Sequence, residues 1–567
     1  MRKHTKHTTT FLIAAGLIAA VFSAQCKAAE SLVYDSPTGV SYEVTANGLS
    51  RISVDGKQVA SGHLLFVTDD DRFDQGPNAV SHKLIGKELT TVSDNKAIVR
   101  HEHQDAVITY TYEFDGEDVT VSARVENNHP SERLDVACFK GLTFDFGKAP
   151  KGYLPNHHWT YTRAQGLRYM HPGHFLRLGA SYGVVEQFGM AVFPANREIR
   201  RTATLFDWDW NRPDDERHTD PKRTLMHFVH GPVPPLGART FRFGIRVSPN
   251  TDWKHLLEPY RAYLHAQLGE QQYVQSDYRP LLMEHAAASE AHITKDNPYG
   301  FHHRRYLHTR AGVEDYSNWQ LAAAKALGAQ GLIEWTPAGV SKRGAMYRTD
   351  FDVWPPEITE HWPYLRERFE EAGVRLGFTS RPGQLTVRGS WEKDRVLQVH
   401  PDEAGQVANA VHRFKNMMDR GFTISYMDCF GNNFQDLALA QQYRKALGPD
   451  FHGYSEYTAD VFLPYFGVYV HMNGFDPDKG AASTMWTPFY MWKIFLWLYP
   501  DAAIFMRPDD RLFDRLDADG RVALADFVYK NGLMLLVQTR FMTDHELAGR
   551  IKETVRKYMD EEGMWKE

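Results

Sequence analysis

Cysteine is scarce in this chain. Cys26, Cys138 and Cys429 are the three cysteines among 567 residues, and the last two lie far apart in sequence. A disulfide framework is therefore excluded once a leader carrying Cys26 is removed, and the fold must depend on an apolar core. The length predicts two or three domains, because a single core rarely grows to this size.

Several functional signatures are absent as well. The sequence contains no phosphate-binding loop, no dinucleotide fingerprint and no Ser-His-Asp motif. The net charge of −6, with both signs interspersed, argues against a broad nucleic-acid surface, so no nucleic-acid partner is predicted. His101 and His103 share one predicted strand face but lack a clear third ligand, so we predict no metal site.

Long apolar runs are limited to one stretch near the N-terminus. "FLIAAGLIAAVFSA" follows the basic "MRKHTKHTTT" and precedes "QCKAAE", which is the three-part plan of a secretory signal peptide. The run is too short to span a bilayer comfortably. We therefore predict a signal peptide at 1–28, a secreted or periplasmic mature protein and no stable membrane insertion after cleavage. Lipidation of Cys26 stays open, although Gln25 is not the small residue that usually precedes such a site.

From about residue 31 to 248, apolar and polar residues alternate in short runs. "GVSYEVTANGLSRISVDGKQVASG" contains NG and DG turns, and "AVITYTYEFDGEDVTVSARVEN" is typical of two strands around a DGED turn. This pattern predicts an antiparallel β-sandwich domain over 29–250. Apolar residues at helical spacing follow in "DWKHLLEPYRAYLHAQLG", which predicts a linker helix within 251–272.

The remaining segment, 273–567, repeats the order helix, glycine, strand and long loop. "NWQLAAAKALGAQGLIEW" and "WPYLRERFEEAGVRLGFTS" show this order twice, and its repetition predicts a parallel α/β fold. Strands are predicted at 281–285, 331–335, 374–380, 422–428, 451–456, 468–472, 502–507 and 532–538. Eight strands with long strand-to-helix loops predict a (β/α)8 TIM-type barrel whose active site lies at the C-terminal strand ends. A doubly wound sheet is the alternative.

Charged and aromatic residues stand at the predicted strand ends. Asp428 ends the fourth strand and Glu456 the fifth, so we expect their carboxyl groups on adjacent tips, roughly 5–6 Å apart. Two carboxyl groups at that spacing are what retaining glycoside hydrolysis requires. Further residues at or after the tips are candidate substrate contacts: Glu334, Trp335, Arg381, Tyr426, His471, Asp476, Arg507 and Asp509.

A β-sandwich, a linking helix and a barrel together resemble the secreted α-glycosidases and α-galactosidases. The Y-x-D sequence ending at Asp428 resembles their fourth-strand nucleophile motif, and acids after strands four, five and seven resemble the α-amylase arrangement. The resemblance implies that Asp428 is the nucleophile, Glu456 the acid/base, and Asp509 or Asp510 the stabiliser. The α-galactosidase pattern implies Asp476 as the acid/base instead, and this alternative stays open.

The sequence therefore predicts a retaining glycoside hydrolase that cleaves α-linked oligo- or polysaccharides and needs no cofactor. One alternative is a non-catalytic carbohydrate-binding protein on the same scaffold. Another is a polysaccharide lyase or a metal-dependent hydrolase that uses the histidines. The separation of the Asp428 and Glu456 carboxyl groups discriminates, because beyond roughly 10 Å the pair cannot act as described.

Overall fold

A computed structural model gives the fold. It describes residues 30–68, 84–134, 137–155, 178–196, 202–207, 221–229, 233–284, 288, 290–302, 306–334, 337–339, 350–387, 395–431, 433–457, 459–484 and 491–566. The predicted signal peptide and Trp335 lie outside these residues. The chain divides into two compact units, one up to Gln267 and the other from Leu268 onward together with Leu178. The domain limits predicted at residues 250 and 272 stay predictions.

Antiparallel strands make up most of the first unit. They are β1 (Ser31–Asp35), β2 (Val40–Thr45), β3 (Gly48–Val54), β4 (Lys57–Thr68), β5 (Leu84–Ser93), β6 (Lys96–His103), β7 (Ala106–Asp115), β8 (Asp118–Asn127), β9 (Ala137–Asp145), β10 (Lys151–Tyr153), β11 (Ser181–Val184), β12 (Gly189–Pro194), β13 (Thr202–Asp207), β14 (Lys222–Val229) and β15 (Ala238–Ser248). One sheet has the order β1-β2-β3-β4-β9-β14-β13, and the other has the order β10-β11-β12-β15-β8-β7-β6-β5.

The two sheets share one apolar core. Alternate residues such as Tyr42 and Val44 of β2 and Tyr110 and Tyr112 of β7 are buried in the same cluster, as expected for strands with one face inward. The predicted turn at Asp55-Gly56 joins β3 to β4 with a positive φ at both residues, as in the tight turns that match strand twist. The predicted antiparallel architecture is confirmed.

The predicted linker helix is present as α1 (Trp253–Leu268). Its buried face consists of Leu256, Tyr260 and Leu264, spaced at one helical turn. A Cβ atom at Gly189 of β12 would lie 2.5 Å from Leu256 Cδ1. Glycine at that position therefore allows the helix to pack closely on the sheet within the first unit.

The second unit is built around parallel strands. Its strands are β16 (Leu281–Glu284), β17 (Gly331–Glu334), β18 (Arg375–Ser380), β19 (Gln384–Val387), β20 (Arg395–Gln398), β21 (Phe422–Met427), β22 (His452–Ser455), β23 (Gly467–Asp476), β24 (Ala481–Thr484), β25 (Ile504–Pro508) and β26 (Met534–Gln538). The parallel strands have the order β22-β21-β18-β17-β16-β26-β25-β23, and a β22–β23 pairing closes the ring. The predicted eight-stranded barrel is confirmed, and the doubly wound alternative is wrong.

Helices alternate with these strands, as the repeated sequence order predicts. They are α2 (Arg310–Leu327), α3 (Pro356–Thr359), α4 (Trp362–Glu371), α5 (Ala404–Asp419), α6 (Phe434–Leu447), α7 (Met491–Leu498), α8 (Asp510–Arg515), α9 (Ala518–Lys530) and α10 (His545–Val555). Short 3-10 turns occur at Glu290–His292, Phe351–Val353, Asp460–Phe462 and Thr539–Met542. Within the described ranges, none of the helices has both the length and the apolar character that a membrane span requires.

Two antiparallel additions to the barrel carry no clear signal in the sequence. The pair β19–β20 forms a hairpin after β18. β24 pairs antiparallel with the C-terminal half of β23. The second addition matters for the site, because β23 continues beyond its last barrel pair, Met472 with Pro508, as one arm of a hairpin.

A buried arginine connects α6 to the segments around β22. Arg444 donates from Nε to the Tyr465 carbonyl at 2.8 Å and from Nη2 to the Phe451 carbonyl at 3.0 Å. Its guanidinium carbon also lies 4.8 Å from the centre of the Phe466 ring. Burial lowers the pKa of Arg444 to about 10, which still leaves the guanidinium charged at neutral pH.

We predict that Arg444→Met lowers the free energy of unfolding by about 2–4 kcal/mol, because it leaves buried carbonyl groups without donors. Lys445→Met is the matched control, since Lys445 is exposed on the same helix and its replacement changes stability by only about 0.5 kcal/mol. Urea and thermal unfolding measure the difference. Equal midpoints for the two variants would contradict the prediction.

Candidate active site

The barrel register places two carboxyl groups side by side. Met427 at the end of β21 pairs with Ser455 at the end of β22, and the next residues are Asp428 and Glu456. The Asp428 N–H donates to the Ser380 carbonyl at 2.8 Å, and the Glu456 N–H donates to the Met427 carbonyl at 3.1 Å. Both acids thus continue the ladder one residue past adjacent parallel strands, as the sequence predicts.

The distance between these groups is short. A carboxylate oxygen of Asp428, a carboxylate oxygen of Glu456 and the Cys429 sulfur all lie within 4.8 Å of one another. Retaining glycosidases hold their two carboxyl groups roughly 5–5.5 Å apart, whereas inverting enzymes need roughly 6.5–9.5 Å. The spacing of the pair is therefore nearer to the retaining separation than to the inverting one.

The neighbours of the two carboxyl groups differ. Arg381, which follows β18, donates from Nε to Asp428 Oδ2 at 2.6 Å. Burial raises the pKa of Glu456, and the negative charge of Asp428 raises it further, while the Cys429 N–H, 2.8 Å from Glu456 Oε2, lowers it. Asp428 is thus ion-paired to a guanidinium, whereas the surroundings of Glu456 favour its protonated form.

Three other predicted residues form a connected group inside the barrel. The Tyr426 ring lies 4.8 Å from the Tyr469 ring. The Tyr469 hydroxyl is 3.0 Å from His471 Nε2 and accepts from Arg507 Nη1 at 3.0 Å. Burial raises the pKa of Tyr426 well above its usual value, and Tyr469, Glu456 and Asp428 raise it further. Tyr426 therefore links the carboxyl pair to the buried Arg507.

The candidate stabilisers after β25 have different partners. Asp509 caps α8 by accepting the Arg511 N–H at 2.9 Å. Asp510 accepts from Arg507 Nη2 at 3.0 Å and from Gln538 Nε2 at 2.9 Å. Of the two acids, Asp510 is the one that contacts the arginine of the barrel interior, and the stabilising role stays a prediction.

Asp476 lies on the hairpin that extends β23. Its carboxylate accepts from Lys479 Nζ at 2.8 Å in the turn toward β24. That hydrogen bond lowers the pKa of Asp476, which favours a permanently ionised carboxylate over a proton donor. Its described contacts are thus those of a turn, and its predicted role as an alternative acid/base stays a prediction without a contact to Asp428.

Glu334 ends β17, but it does not lie on the face of the barrel wall that carries Asp428. It pairs in register with Glu284, whose carboxylate is 3.4 Å from the donor Gln320 Nε2 on α2. Ile333, one residue earlier, points to the opposite face of the barrel wall. Its side chain lies there beside Ile424, because a Cβ atom added to Gly377 would contact both isoleucines. Ile424 precedes Tyr426 and Asp428 at the two-residue period of a strand. Glu334 therefore lies on the α2 side of the barrel wall.

The Glu334 carboxyl group is unusually isolated. It is 2% exposed, and neither oxygen has a hydrogen-bond partner among the residues that the structure describes. Burial raises its pKa well above the usual value, and the nearby Glu284 charge raises it further. A neutral, protonated carboxyl group follows from both causes. The substrate contact predicted for Glu334, like that for Trp335, stays a prediction.

The Asp428, Cys429 and Glu456 donors also have a spacing that a metal ion could bridge. One property argues against that use: the Arg381 guanidinium already pairs with the Asp428 carboxylate, with 2.6 Å between Nε and Oδ2. We therefore assign no metal to these residues.

The sequence gives little indication of several groups that support the pair. The Cys429 N–H acts through the backbone, which no side-chain pattern reveals. Asp436 accepts hydrogen bonds from the loop after Asp428. The sequence indicates this role only through the N-x-x-D spacing from Asn433, which is a helix-capping signal. The buried Ser455 hydroxyl bonds the same loop, and an apolar strand with one serine does not predict that contact.

No family model matches the sequence, and no curated protein matches it. Solved structures resemble the fold. An α-N-acetylgalactosaminidase from Bifidobacterium bifidum, a quadruple mutant, has a TM-score of 0.57 at 12% identity, over 93% of this chain and 92% of that chain. A GH36 α-galactosidase from Geobacillus stearothermophilus has a TM-score of 0.39 at 10% identity, over 94% of this chain and 76% of that chain.

These structures are glycoside hydrolases. At such low identity the likeness to the first of them shows the fold, antiparallel sheets followed by a (β/α)8 barrel. The fold expected from the resemblance to α-glycosidases and α-galactosidases is therefore confirmed.

We predict that Glu334→Gln raises the thermal midpoint and that the gain grows between about pH 5 and pH 8. Unfolding releases the Glu334 proton once the pH exceeds the unfolded pKa of about 4.3, so the wild type loses stability as pH rises, and glutamine removes this loss. Glu367→Gln, at an exposed position of α4, is the control. A gain that does not depend on pH would contradict a protonated Glu334.

Proposed function

We propose that this protein is an exported, retaining glycoside hydrolase that cleaves α-linked sugars without a cofactor. The observation that carries the proposal is the Asp428–Glu456 pair: a carboxylate oxygen of each lies within 4.8 Å of the other, Asp428 is ion-paired to Arg381, and the pKa of Glu456 is raised by burial. The α-linkage is supported by the fold likeness to an enzyme described as an α-N-acetylgalactosaminidase. Export is supported by the predicted signal peptide at 1–28.

In the first step, the Asp428 carboxylate attacks the anomeric carbon while the glycosidic carbon–oxygen bond breaks. The proton of Glu456 moves to the departing oxygen, so the leaving group departs as a neutral alcohol. The product is a glycosyl ester on Asp428. Arg381, whose Nε lies 2.6 Å from Asp428 Oδ2, holds the carboxylate in position before the attack.

In the second step, Glu456 acts as a general base. Its carboxylate removes a proton from water, and the water oxygen attacks the anomeric carbon from the side that the leaving group left. The ester bond to Asp428 breaks, which restores the carboxylate and returns the proton to Glu456. Two displacements at the same carbon give a sugar that retains the anomeric configuration of the substrate.

The residues around the pair would orient the sugar ring. His471 and Arg507 hydrogen-bond the Tyr469 hydroxyl, and the Tyr426 ring packs against the Tyr469 ring. Tyr426, His471 and Arg507 supply ring surface and donors for hydroxyl groups. The Tyr426 hydroxyl adjoins Glu456 and Asp428, which both act on its pKa. We assign these side chains to substrate binding and leave the identity of the sugar to experiment.

We predict that Asp428→Asn and Glu456→Gln both fold and lose most turnover on α-linked substrates. Loss of a general acid costs about 10²–10⁴-fold in kcat. Glu456→Gln should retain more activity on nitrophenyl glycosides than on unactivated sugars, because nitrophenolate needs no proton to leave. Asp428→Asn should lose activity on both. Glu546→Gln, exposed in the first turn of α10, is the control.

The measurement is a panel of nitrophenyl α- and β-glycosides, with NMR observation of the first-formed anomer and thermal unfolding to verify folding. Retention of the α configuration is expected. Full activity in folded Asp428→Asn, or an inverted product, would overturn the mechanism. Sugar binding without turnover by the wild type would favour the non-catalytic carbohydrate-binding protein.

A further inference from the structure

The segments that follow β21 and β22 are bonded to each other beyond the catalytic pair. The Phe430 carbonyl accepts the Tyr457 N–H at 3.1 Å and the Ser455 hydroxyl at 2.9 Å. The same hydroxyl lies 2.8 Å from the Tyr457 carbonyl. Ser455 is fully buried, so these contacts are shielded from water and form one unit out of two loops.

Gly431 allows the loops to approach this closely. Its φ is +105°, and a Cβ atom there would lie 2.1 Å from Ser455 Oγ and 2.6 Å from the Tyr457 carbonyl oxygen. No other residue fits without moving one of the loops. The loop after Asp428 therefore has one position relative to the loop that carries Glu456.

Asp436 fixes the same loop from the helix side. It is the third residue of α6, and its backbone N–H donates to the Asn433 side chain at 2.8 Å. In an ordinary capping box, the acidic side chain returns to the N–H of the capping residue. Here Asp436 Oδ2 accepts the Gly431 N–H at 3.0 Å, two residues further back, together with Asn433 Nδ2 at 2.9 Å.

These contacts surround a residue in an unfavourable backbone conformation. Cys429 has a φ of +53°, a left-handed geometry that costs a residue with a Cβ about 1–2 kcal/mol. That geometry directs the Cys429 N–H to Glu456 Oε2, 2.8 Å away. On one side the chain is held by the Asp428–Ser380 backbone bond, and on the other by the Gly431–Asp436 bond.

We propose that Asp436 and Ser455 are positioning residues for the catalytic pair. They hold the Phe430–Gly431 segment, keep the Cys429 peptide in its left-handed conformation and so orient the Glu456 carboxyl group through the Cys429 N–H. The hydrogen bonds described for the two side chains go to these loops rather than to the carboxyl groups. This inference rests on the proposed glycosidase function and adds residues that the chemistry of the pair does not require.

The expected signature is a change in pH dependence. The groups that act on the Glu456 proton are Asp428 with its partner Arg381, the Cys429 N–H, Tyr426 and the neighbouring tyrosines Tyr457 and Tyr469. Among them, the Tyr426 hydroxyl and, more strongly, the Cys429 N–H lower the pKa of Glu456. If the Cys429 N–H turns away, the pKa of Glu456 rises, so the basic limb of kcat/KM moves to higher pH although turnover falls.

The test compares Asp436→Ala and Ser455→Ala with Asp517→Ala. Asp517 caps α9 by accepting the Gly520 N–H at 2.8 Å, so its loss removes a helix cap away from both loops. We expect the two loop variants to lower kcat about 10- to 100-fold with little change in KM. We also expect an upward shift of the basic limb by roughly 0.5–1 pH unit. Asp517→Ala should show neither effect, and Asp436→Asn, which keeps an acceptor oxygen, should recover part of the loss.

A second measurement does not need catalysis. Cys429 is exposed and free, so its alkylation rate by iodoacetamide, followed by peptide mass spectrometry, reports the conformation of this residue. A changed rate in Asp436→Ala and Ser455→Ala, but not in Asp517→Ala, supports the proposal. An active wild type whose loop variants keep their pH profile and alkylation rate overturns it. A wild type that cleaves no glycoside defeats the proposed function instead, and the alkylation rates then decide the positioning claim alone.

Discussion

The backbone ladder between β21 and β22 is the constraint on which the site depends. Met427 pairs with Ser455, and the bond from Glu456 N–H to the Met427 carbonyl extends that pairing to the acids. Because side chains alternate between faces, a slip of one residue would send one carboxyl group to the helix side of the wall. The buried interior positions Ile424, Tyr426 and Tyr454 oppose such a slip, so the packing of the barrel fixes the separation of the pair.

Two chemically similar groups acquire different properties from the elements beside them. β18 supplies Arg381 to Asp428, whereas Glu456 receives a backbone N–H from Cys429 and the repulsion of Asp428. Burial beside another negative charge raises the pKa of a carboxyl group, as it does for Glu456. The difference between the surroundings of the two carboxyl groups therefore follows from the order of three adjacent strands, β18, β21 and β22.

The sequence predicts the barrel strands well because they are local apolar runs followed by polar loops, and several have a glycine shortly before them. The same local pattern finds Arg381, Asp428 and Glu456. It does not reveal which face a residue occupies. Glu334 and Asp428 look alike as acids at strand ends, yet the register with Glu284 places Glu334 toward α2. Asp476 is separated from the barrel rim by the β23–β24 hairpin, whose pairing depends on residues distant in sequence.

The contacts least visible in the sequence are those made by the backbone at Cys429 and Phe430. Every residue except proline has a backbone N–H and a carbonyl group, so the sequence does not indicate which of these groups form hydrogen bonds at the site. What the sequence does contain is the set of residues that make the geometry possible: glycine at 431, a small hydroxyl at 455 and a short acid at 436. A strained residue persists only where its surroundings over-determine it. Cys429 at φ +53° meets that condition, because its N–H bonds Glu456 Oε2 and the loop that follows it is held by the bond from Gly431 N–H to Asp436.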